Sequence, residues 1–557
     1  MKAIDLHVHS NYSDGTNTPL ELVSLACQKG LAAIALTDHD TTEGIEEILT
    51  YAKDQPLEIV PGIEFSTEYL GRDIHILGLY VNPYHPAFVK HIQTFQENRD
   101  RRNRKMCERL AEMGIDITYE ALSSSFEGSI LTRAHYARYL LEHGYVKSLR
   151  EAFERYVGDH CPAFVPREKI TPNQAVSLIL EAGGLPVLAH PILYRFSDRV
   201  LETLVASLKE SGLIGIETVY STYAPSEERY IRRLAAKYDL LVTGGSDYHG
   251  QNKPDISLGT GRGHLFVPDD YLEALKKSYL RKFVPAANEK AILFFDLDGT
   301  LLNDAKNISE ETMCALRKCV VNGHRFAISS GRSHTSIHKL IERLSLGEFN
   351  PLISAFNGSH ISEYKSGRVL KTSGLDIELV KEIRNLAVEA KLHIQSYSDT
   401  EILTDAETEE LAFYRKWTGT THRIVPGLIE NDFQPYKLLV IHLTDHERLV
   451  SFKEKIEMKF GDKVDCVFSN DYFLEILPKG ISKGYALQIL CEHTGISISN
   501  SYAFADAEND ISMLQAAGHG VALLNASPAA KEVADFITFT DNNHDGLAVF
   551  LKKLAEG

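Results

Sequence analysis

Short apolar runs recur along this chain, and in its first half they alternate with segments whose apolar residues repeat at helical spacing. KAIDLHVH leads to PLELVSLACQKG, AAIALTDHD to EGIEEILTYAKD, and then to LEIVPGIEFS. Further on, GLPVLAHP, VLETLVASLKESG, LIGIETVY, EERYIRRLAAKYD and LLVTGGSDYHG continue the rhythm. This βαβα order predicts a parallel sheet, and over residues 1–285 a barrel-like closure is more economical than an open sheet. Between about 86 and 175 the rhythm gives way to a helix-rich stretch that reads as an insertion over the barrel mouth. Its charged run ENRDRRNRK (97–105) predicts a solvated helix face. A new apolar strand, AILFF, starts at Ala291 after a Pro/Ala/Asn stretch, which puts a domain boundary near residue 288: one domain over 1–287, another over 288–557.

Composition narrows the classes of function. A chain of 557 residues holds more than one domain, each large enough for its own core. The net charge of −17 argues against a broad surface for long nucleic acid but leaves a local basic pocket open. The 7 cysteines form no C-x-x-C pair, as expected of free thiols in a reducing compartment. MKAIDLHVH is not a signal peptide and no apolar run approaches membrane length, so a cytoplasmic protein without a membrane partner is expected.

The candidate chemistry lies where polar residues end the apolar runs. In DLHVHSNYSDG, His7 and His9 alternate onto one face of an extended strand, with Asp14 close behind. Asp38 and His39 follow AAIAL, Glu64 follows IVPGI, His75 lies in DIHILG, His190 ends PVLAH, and Asp247 and His249 end LLVTGGS. Any one of them reads as an ordinary rim histidine or acid. Together they are costly to bury unless paired or metal-bound, and in a β/α barrel they surround one mouth. A mixed imidazole and carboxylate set suits Mn, Fe or Zn, and such sites hydrolyse phosphoesters without a protein nucleophile.

DLHVHSNYSDG, TDHD, GIEFS, HILG, AHP and GSDYH, in that order, resemble the successive motifs of the PHP (polymerase and histidinol phosphatase) family. The resemblance covers residues 1 to about 270 and implies a distorted β/α barrel with three divalent transition-metal ions. It implies that His7, His9 and Asp247 hold the first, that Glu64 bridges it to a second held with His75 and His190, and that Asp14, His39 and His249 hold the third. LTRAHYARYLLEHG (131–144) resembles a segment of the PHP subgroup that hydrolyses nucleoside 3′,5′-bisphosphates and short 5′-phosphorylated RNA. That implies Arg133 and His135 as ligands of the substrate's non-reacting phosphate, Arg133 through its bidentate fork. ETVYSTYAPSE (217–227) resembles the subgroup's Tyr-rich loop, and histidinol phosphate is the alternative substrate within the family.

In the second half, AILFFDLDGTLLND (291–304) delivers Asp296 and Asp298 to one side of a strand end, where two carboxylates need a cation or a proton between them. FAISSGR (326–332) ends a second strand in Ser330, SKG (482–484) supplies Lys483, and AFADAENDISML (503–514) supplies Asp506, Asn509 and Asp510. These resemble the four motifs of the HAD (haloacid dehalogenase-like) hydrolases, and FNGS (356–359), with Asn357 as a substrate-binding residue, resembles the Cof-type branch. The resemblance implies a doubly wound α/β core with an α/β cap over about 370–475. It implies Asp296 as nucleophile, Asp298 as acid and base, and Ser330 and Lys483 on the phosphoryl oxygens. Mg²⁺ would lie on Asp296, Asp506, the Asp298 carbonyl and, through water, Asp510. Ala505 and Ser330 stand where the family more often has Gly and Thr; the serine keeps the hydroxyl. Trp417 and Tyr414 are candidates to face the substrate from the cap.

The reading is a bifunctional phosphohydrolase of small phosphorylated substrates. Its first half acts on nucleoside 3′,5′-bisphosphates or short oligoribonucleotides, its second on a small phosphomonoester. The rivals are histidinol phosphate as the first substrate, and one half serving as a regulatory module that binds a phosphorylated metabolite.

Overall fold

The structure, a computed structural model, describes residues 2–126, 131–158, 161–165, 170–284, 289–398, 400–430 and 433–556, without the side chain of Trp417. The chain forms two compact units, Met1–Phe283 and Val284–Gly557. The expected boundary near 288 falls at 285–288, outside the described residues. Among the described residues no helix is long and apolar enough to cross a membrane.

In the first unit the short apolar runs become strands: β1 (Ala3–Val8), β2 (Ala33–Leu36), β3 (Glu58–Tyr69), β4 (Arg72–Leu79), β5 (Leu185–Leu188), β6 (Gly215–Tyr220), β7 (Leu241–Gly245) and β8 (Val267–Pro268). They form one sheet in the order β7-β6-β5-β4-β3-β2-β1-β8. The sheet nearly closes: Val8 bridges to Tyr248, and the Asp247 amide donates to the His7 carbonyl at 2.9 Å. That approach requires Gly245, where a Cβ would lie 2.4 Å from the Cβ of His7. The expectation of an all-parallel sheet fails at β4, which pairs antiparallel with both β3 and β5, and at β8, antiparallel to β1. The cause is local. Leu70 and Gly71, with φ of 51° and 72°, form the tight turn between β3 and β4, and a turn that short joins only antiparallel strands.

The helices Pro86–Glu112, Tyr119–Ser125, Arg133–Glu142 and Leu149–Ala152, and the π-helical turn Phe153–Val157, build the insertion. It has its own apolar cluster, including Met106, Leu110, Leu122, Tyr136, Leu140 and Val157. The helix Pro172–Glu181, opened by a Thr171/Gln174 capping box, returns the chain to the barrel core beside Ile63 and Leu188. The charged run 97–105 is not simply a solvated face. Arg99 and Asn103 are buried because they continue the stripe Phe88, Ile92, Met106 and Leu110 at helical spacing.

The second unit has a core sheet of β9 (Ile292–Phe295), β10 (Arg325–Ser329), β11 (Leu352–Ala355), β12 (His360–Glu363) and β13 (Val369–Thr372), followed in this sheet by three strands from later in the chain. Between them runs a second sheet: β14 (His393–Tyr397), β15 (Ile402–Thr404), β16 (His422–Ile424), β17 (Leu438–Ile441), β18 (Val464–Asn470) and β19 (Phe473–Pro478). The core resumes with β20 (Ser501–Ala505), β21 (His519–Ala522) and β22 (Phe536–Ile537), giving the order β13-β12-β11-β10-β9-β20-β21-β22. β9 pairs parallel with β10 on one side and β20 on the other, so the strand order reverses at β9 and opens a crevice at the carboxyl ends. The cap differs slightly from 370–475: β13 belongs to the core sheet, and the cap strand β19 runs to Pro478. One face of the cap sheet, with Ile394, Leu438, Val440, Leu474 and Ile476, buries against its helices. The opposite face carries Gln395, Tyr397 and Glu475, with Lys437 just ahead of β17.

Candidate active sites

In the first unit His7, His9, Asp14, His39, Glu64, His75, His190, Asp247 and His249 reach one place. Glu64, at the centre, is fully enclosed by imidazoles. Its Oε1 lies 2.9 Å from His75 Nδ1 and 3.2 Å from His190 Nε2. Its Oε2 lies 3.3 Å from His7 Nε2, 3.3 Å from His9 Nε2 and 3.1 Å from His39 Nδ1. Asp247 Oδ1 is 3.6, 3.4 and 3.3 Å from His7, His9 and His249. Asp14 Oδ1 is 3.2 Å from His249 Nε2 and 3.8 Å from His39 Nε2. The atoms converge in overlapping groups: His7–His9–Asp247, His7–Glu64–His190, His39–Glu64–His75 and His9–Asp14–His39–His249. The sets are therefore shared rather than disjoint, with His39 reaching both Glu64 and Asp14.

Burial penalises the carboxylate of Glu64, but the surrounding imidazoles, led by His7, outweigh it and hold its pKa well below the ordinary value. Burial also opposes charge on His7, yet Glu64, Glu217 and Asp247 raise its pKa well above normal. His39 is driven the other way, chiefly by burial. His7 Nε2, both ring nitrogens of His9, His39 Nδ1, His190 Nδ1 and Asp14 Oδ1 are buried without a hydrogen-bond partner among the described residues. Each such atom costs about 1–3 kcal/mol if left unsatisfied, so this donor set fits cations. The backbone is strained here as well: His190 and Asp247 have φ of 26° and 56°, at about 1–3 kcal/mol each.

A second ring of residues, of which only Asp38 was singled out from the sequence, supports the first. Glu217, 0 % exposed, takes His7 Nδ1 on Oε1 at 3.2 Å and the His190 amide on Oε2 at 2.8 Å. That fixes the His7 tautomer and aims Nε2 at Glu64 and Asp247. Asp5 accepts the Ser246 amide at 2.8 Å and the Gly259 amide at 2.8 Å, tying the end of β7 to β1. Asp38, noted in the sequence beside His39, is a support, accepting the amide and hydroxyl of Ser10 at 2.8 and 2.6 Å. Asp247 Oδ2 is held by Tyr220 and Lys253, each at 2.6 Å. Arg99, from the insertion, pairs with Asp40 beside His39. Glu217 could have been found, being a charged residue inside the otherwise apolar run LIGIETVY.

A cavity of about 710 Å³ opens from this cluster. Asp14, His39 and His75 line it, as do Arg72, Arg99, Arg102, Arg133 and Arg195. Arg133 thus stands where a substrate phosphate could meet it, 3.6 Å from Asp73. His135 does not line the cavity. Its Nδ1 accepts the Thr132 amide at 3.0 Å as a helix cap, and burial lowers its pKa to about 4.

In the second unit the crevice at the end of β9 gathers Asp296, Asp506 and Asp510 into one group able to hold a cation. Lys483 Nζ lies 2.6 Å from Asp296 and 2.5 Å from Asp510. Burial, countered by Lys483 but reinforced by Asp510, raises Asp296 to about 7. Three carboxylates against one lysine leave a surplus of negative charge that suits a hard divalent ion. Asp298 is held by Arg332, with Nε and Nη2 each at 2.7 Å, and by Lys306 at 2.8 Å. Despite burial these cations lower its pKa. Ser330 is buried at the end of β10, its hydroxyl accepting the Arg332 amide at 3.2 Å. Asn357, in the left-handed region at φ 55°, donates to Glu475 at 3.0 Å and accepts from Asn509 at 3.3 Å. Glu475 and its partner Lys437 come from the cap and were missed in the sequence; Lys437 also donates to the Gly331 carbonyl at 2.8 Å. Tyr414 is buried on the cap, and the side chain of Trp417 lies outside the described residues.

Comparison with known proteins gives two families. A PHP domain model matches residues 5–158, and a haloacid dehalogenase-like hydrolase model matches residues 293–551. The chain is 36% identical over 248 residues to a 5′-3′ exoribonuclease of Haemophilus influenzae, covering 90% of that protein and 44% of this chain. It is 31% identical over 267 residues to a 3′,5′-nucleoside bisphosphate phosphatase of Chromobacterium violaceum, covering 91% of that protein and 46% of this chain. It is also 30% identical over 234 residues to an HMP-PP phosphatase of Cronobacter sakazakii, covering 84% of that protein and 42% of this chain.

Proposed function

We propose two separate phosphoester hydrolyses for this chain, which belongs to the PHP family through its first unit and to the haloacid dehalogenase-like hydrolases through its second. The first site cleaves on the 3′ side of a 5′-phosphorylated ribonucleotide. Its smallest substrate is a nucleoside 3′,5′-bisphosphate, which loses the 3′-phosphate, and short 5′-phosphorylated RNA presents the same bond. The observation that carries this reading is the arginine-lined cavity beside the histidine cluster. A substrate with two phosphates has more to gain from its arginines than histidinol phosphate, which carries one.

Three divalent ions of Mn, Fe or Zn type fit the first cluster, and when bound they neutralise phosphoryl charge and lower the pKa of attacking water. The protein's part is orientation. Glu217 sets the His7 tautomer, Tyr220 and Lys253 fix one oxygen of Asp247, and Arg133 holds the non-reacting phosphate. His135 serves that arrangement by capping the helix that starts at Arg133.

In the second site Asp296 attacks the phosphorus of a small phosphomonoester and forms an aspartyl-phosphate, which water then cleaves. Lys483 and Ser330 hold phosphoryl oxygens, and Asp296, Asp506 and, through water, Asp510 would hold Mg²⁺, which would neutralise phosphoryl charge. Asp298 passes a proton to the leaving oxygen and later takes one from water, once the substrate draws it from Arg332 and Lys306. The free cysteines support a reducing, cytoplasmic setting for both reactions.

The test is a substrate comparison with the metal-loaded full chain. Adenosine 3′,5′-bisphosphate should yield adenosine 5′-phosphate and inorganic phosphate, at a kcat/KM above that for histidinol phosphate. The reverse preference, or release of the 5′-phosphate first, would overturn the assignment.

A further inference from the structure

The cavity beside the first site is not lined by charge alone. Phe153 and Phe164, both from the insertion, also line it. Phe153 is 36 % exposed although an apolar cluster that buries its neighbours Ala152 and Val157 lies beside it. The backbone at each of the two rings is held by hydrogen bonds. Phe153 opens a π-helical turn, a local form often found at functional sites, and its carbonyl accepts the Gly158 amide at 3.0 Å. A Cβ at Gly158 would lie 2.3 Å from that carbonyl oxygen. The Phe164 amide donates to the Cys161 carbonyl at 2.9 Å, and the Phe164 carbonyl accepts from Arg109. The Arg133 guanidinium lies 5.5 Å from the centre of the Phe164 ring. A group able to hold a phosphate and a ring able to meet a base therefore stand within the reach of one nucleotide.

We propose that Phe153 and Phe164 form a stacking platform for the substrate's nucleobase in the first site. The inference rests on the reading of that site as a nucleotide phosphohydrolase. Stacking needs only a flat π-face, so the platform accepts purines and pyrimidines alike, whereas a bisphosphate without a base loses the contact. Because neither ring carries a group able to ligate a metal or move a proton, both act on binding rather than on the bond that breaks. Their loss should raise KM and leave kcat near wild type.

The experiment compares adenosine 3′,5′-bisphosphate and uridine 3′,5′-bisphosphate with the base-free 1-deoxyribose 3,5-bisphosphate, using the metal-loaded full chain. The wild type should favour both nucleotides by about 5- to 100-fold in kcat/KM. Phe164→Leu and Phe153→Leu, which keep apolar bulk and remove the ring, should each erode that preference, raising KM for the nucleotides more than for the base-free compound. Phe164→Tyr should retain it. Equilibrium binding of adenosine 5′-phosphate should weaken in the same order, independently of turnover. Equal losses on base-bearing and base-free substrates, or a wild type without preference, would overturn the platform and leave the phosphohydrolase reading intact. A wild type that hydrolyses neither class would overturn that reading and the platform with it.

Discussion

Glu217→Gln isolates what a buried supporting carboxylate contributes to the first site. The substitution keeps volume and removes one negative charge at a position with no exposure to solvent. Glu217 accepts two hydrogen bonds, one on each oxygen: His7 Nδ1 at 3.2 Å and the His190 amide at 2.8 Å. A glutamine offers one acceptor oxygen, so one of the two N–H groups must face the new NH₂. A buried donor without an acceptor costs about 1–3 kcal/mol, and the ring of His7 gains freedom to turn Nε2 away from Glu64 and Asp247. Loss of such an outer partner lowers metal affinity or activity about 10- to 100-fold. The assay is a competitive chelator titration of the metal-loaded protein, run beside hydrolysis of adenosine 3′,5′-bisphosphate. Turnover of a small phosphomonoester at the second site serves as internal control. Metal affinity and first-site activity should fall together while the control holds. Wild-type metal affinity in Glu217→Gln would refute the argument that this carboxylate orients His7.

Glu64→Gln should remove more than one metal, because both its oxygens are shared among histidines of different groups. Elemental analysis finding the wild-type metal content would contradict this. His135 supplies a pH dependence. Its pKa is lowered to about 4, so below pH 6.5 the unfolded chain takes up the proton first, and stability falls between about pH 6.5 and 4, by up to about 3 kcal/mol. His135→Asn, which can still accept the Thr132 amide, should flatten the thermal stability profile across that window; an unchanged profile would count against a neutral, buried cap.

Much of both sites was legible because their residues end strands, where a polar side chain after an apolar run stands out. His7 and His9 share a face by the two-residue period of β1, and Asp296 ends β9 by the same logic. His75 was legible as a residue but not as geometry. It reaches the cluster from within an antiparallel strand, a consequence of the Leu70–Gly71 turn that a βαβ reading passes over. Arg99 was misread because charge in a run suggests solvent, although it continues the buried stripe through Ile92 and Met106. Lys437 and Glu475 were invisible for another reason. Their partners, Gly331 and Asn357, lie far away in the chain, and only the return of the cap to the core brings them together.

The central claim, two independent phosphohydrolases on one chain, is tested most directly by assaying both reactions in intact His9→Ala and Asp296→Asn proteins. His9→Ala removes a nitrogen donor shared by two ligand groups of the first cluster. Asp296→Asn removes the carboxylate nucleophile of the second site and leaves its neighbours in place. The account predicts that His9→Ala abolishes hydrolysis of adenosine 3′,5′-bisphosphate and keeps phosphomonoester turnover near wild type, with Asp296→Asn doing the reverse. Either substitution silencing both reactions in a protein that remains folded would contradict it.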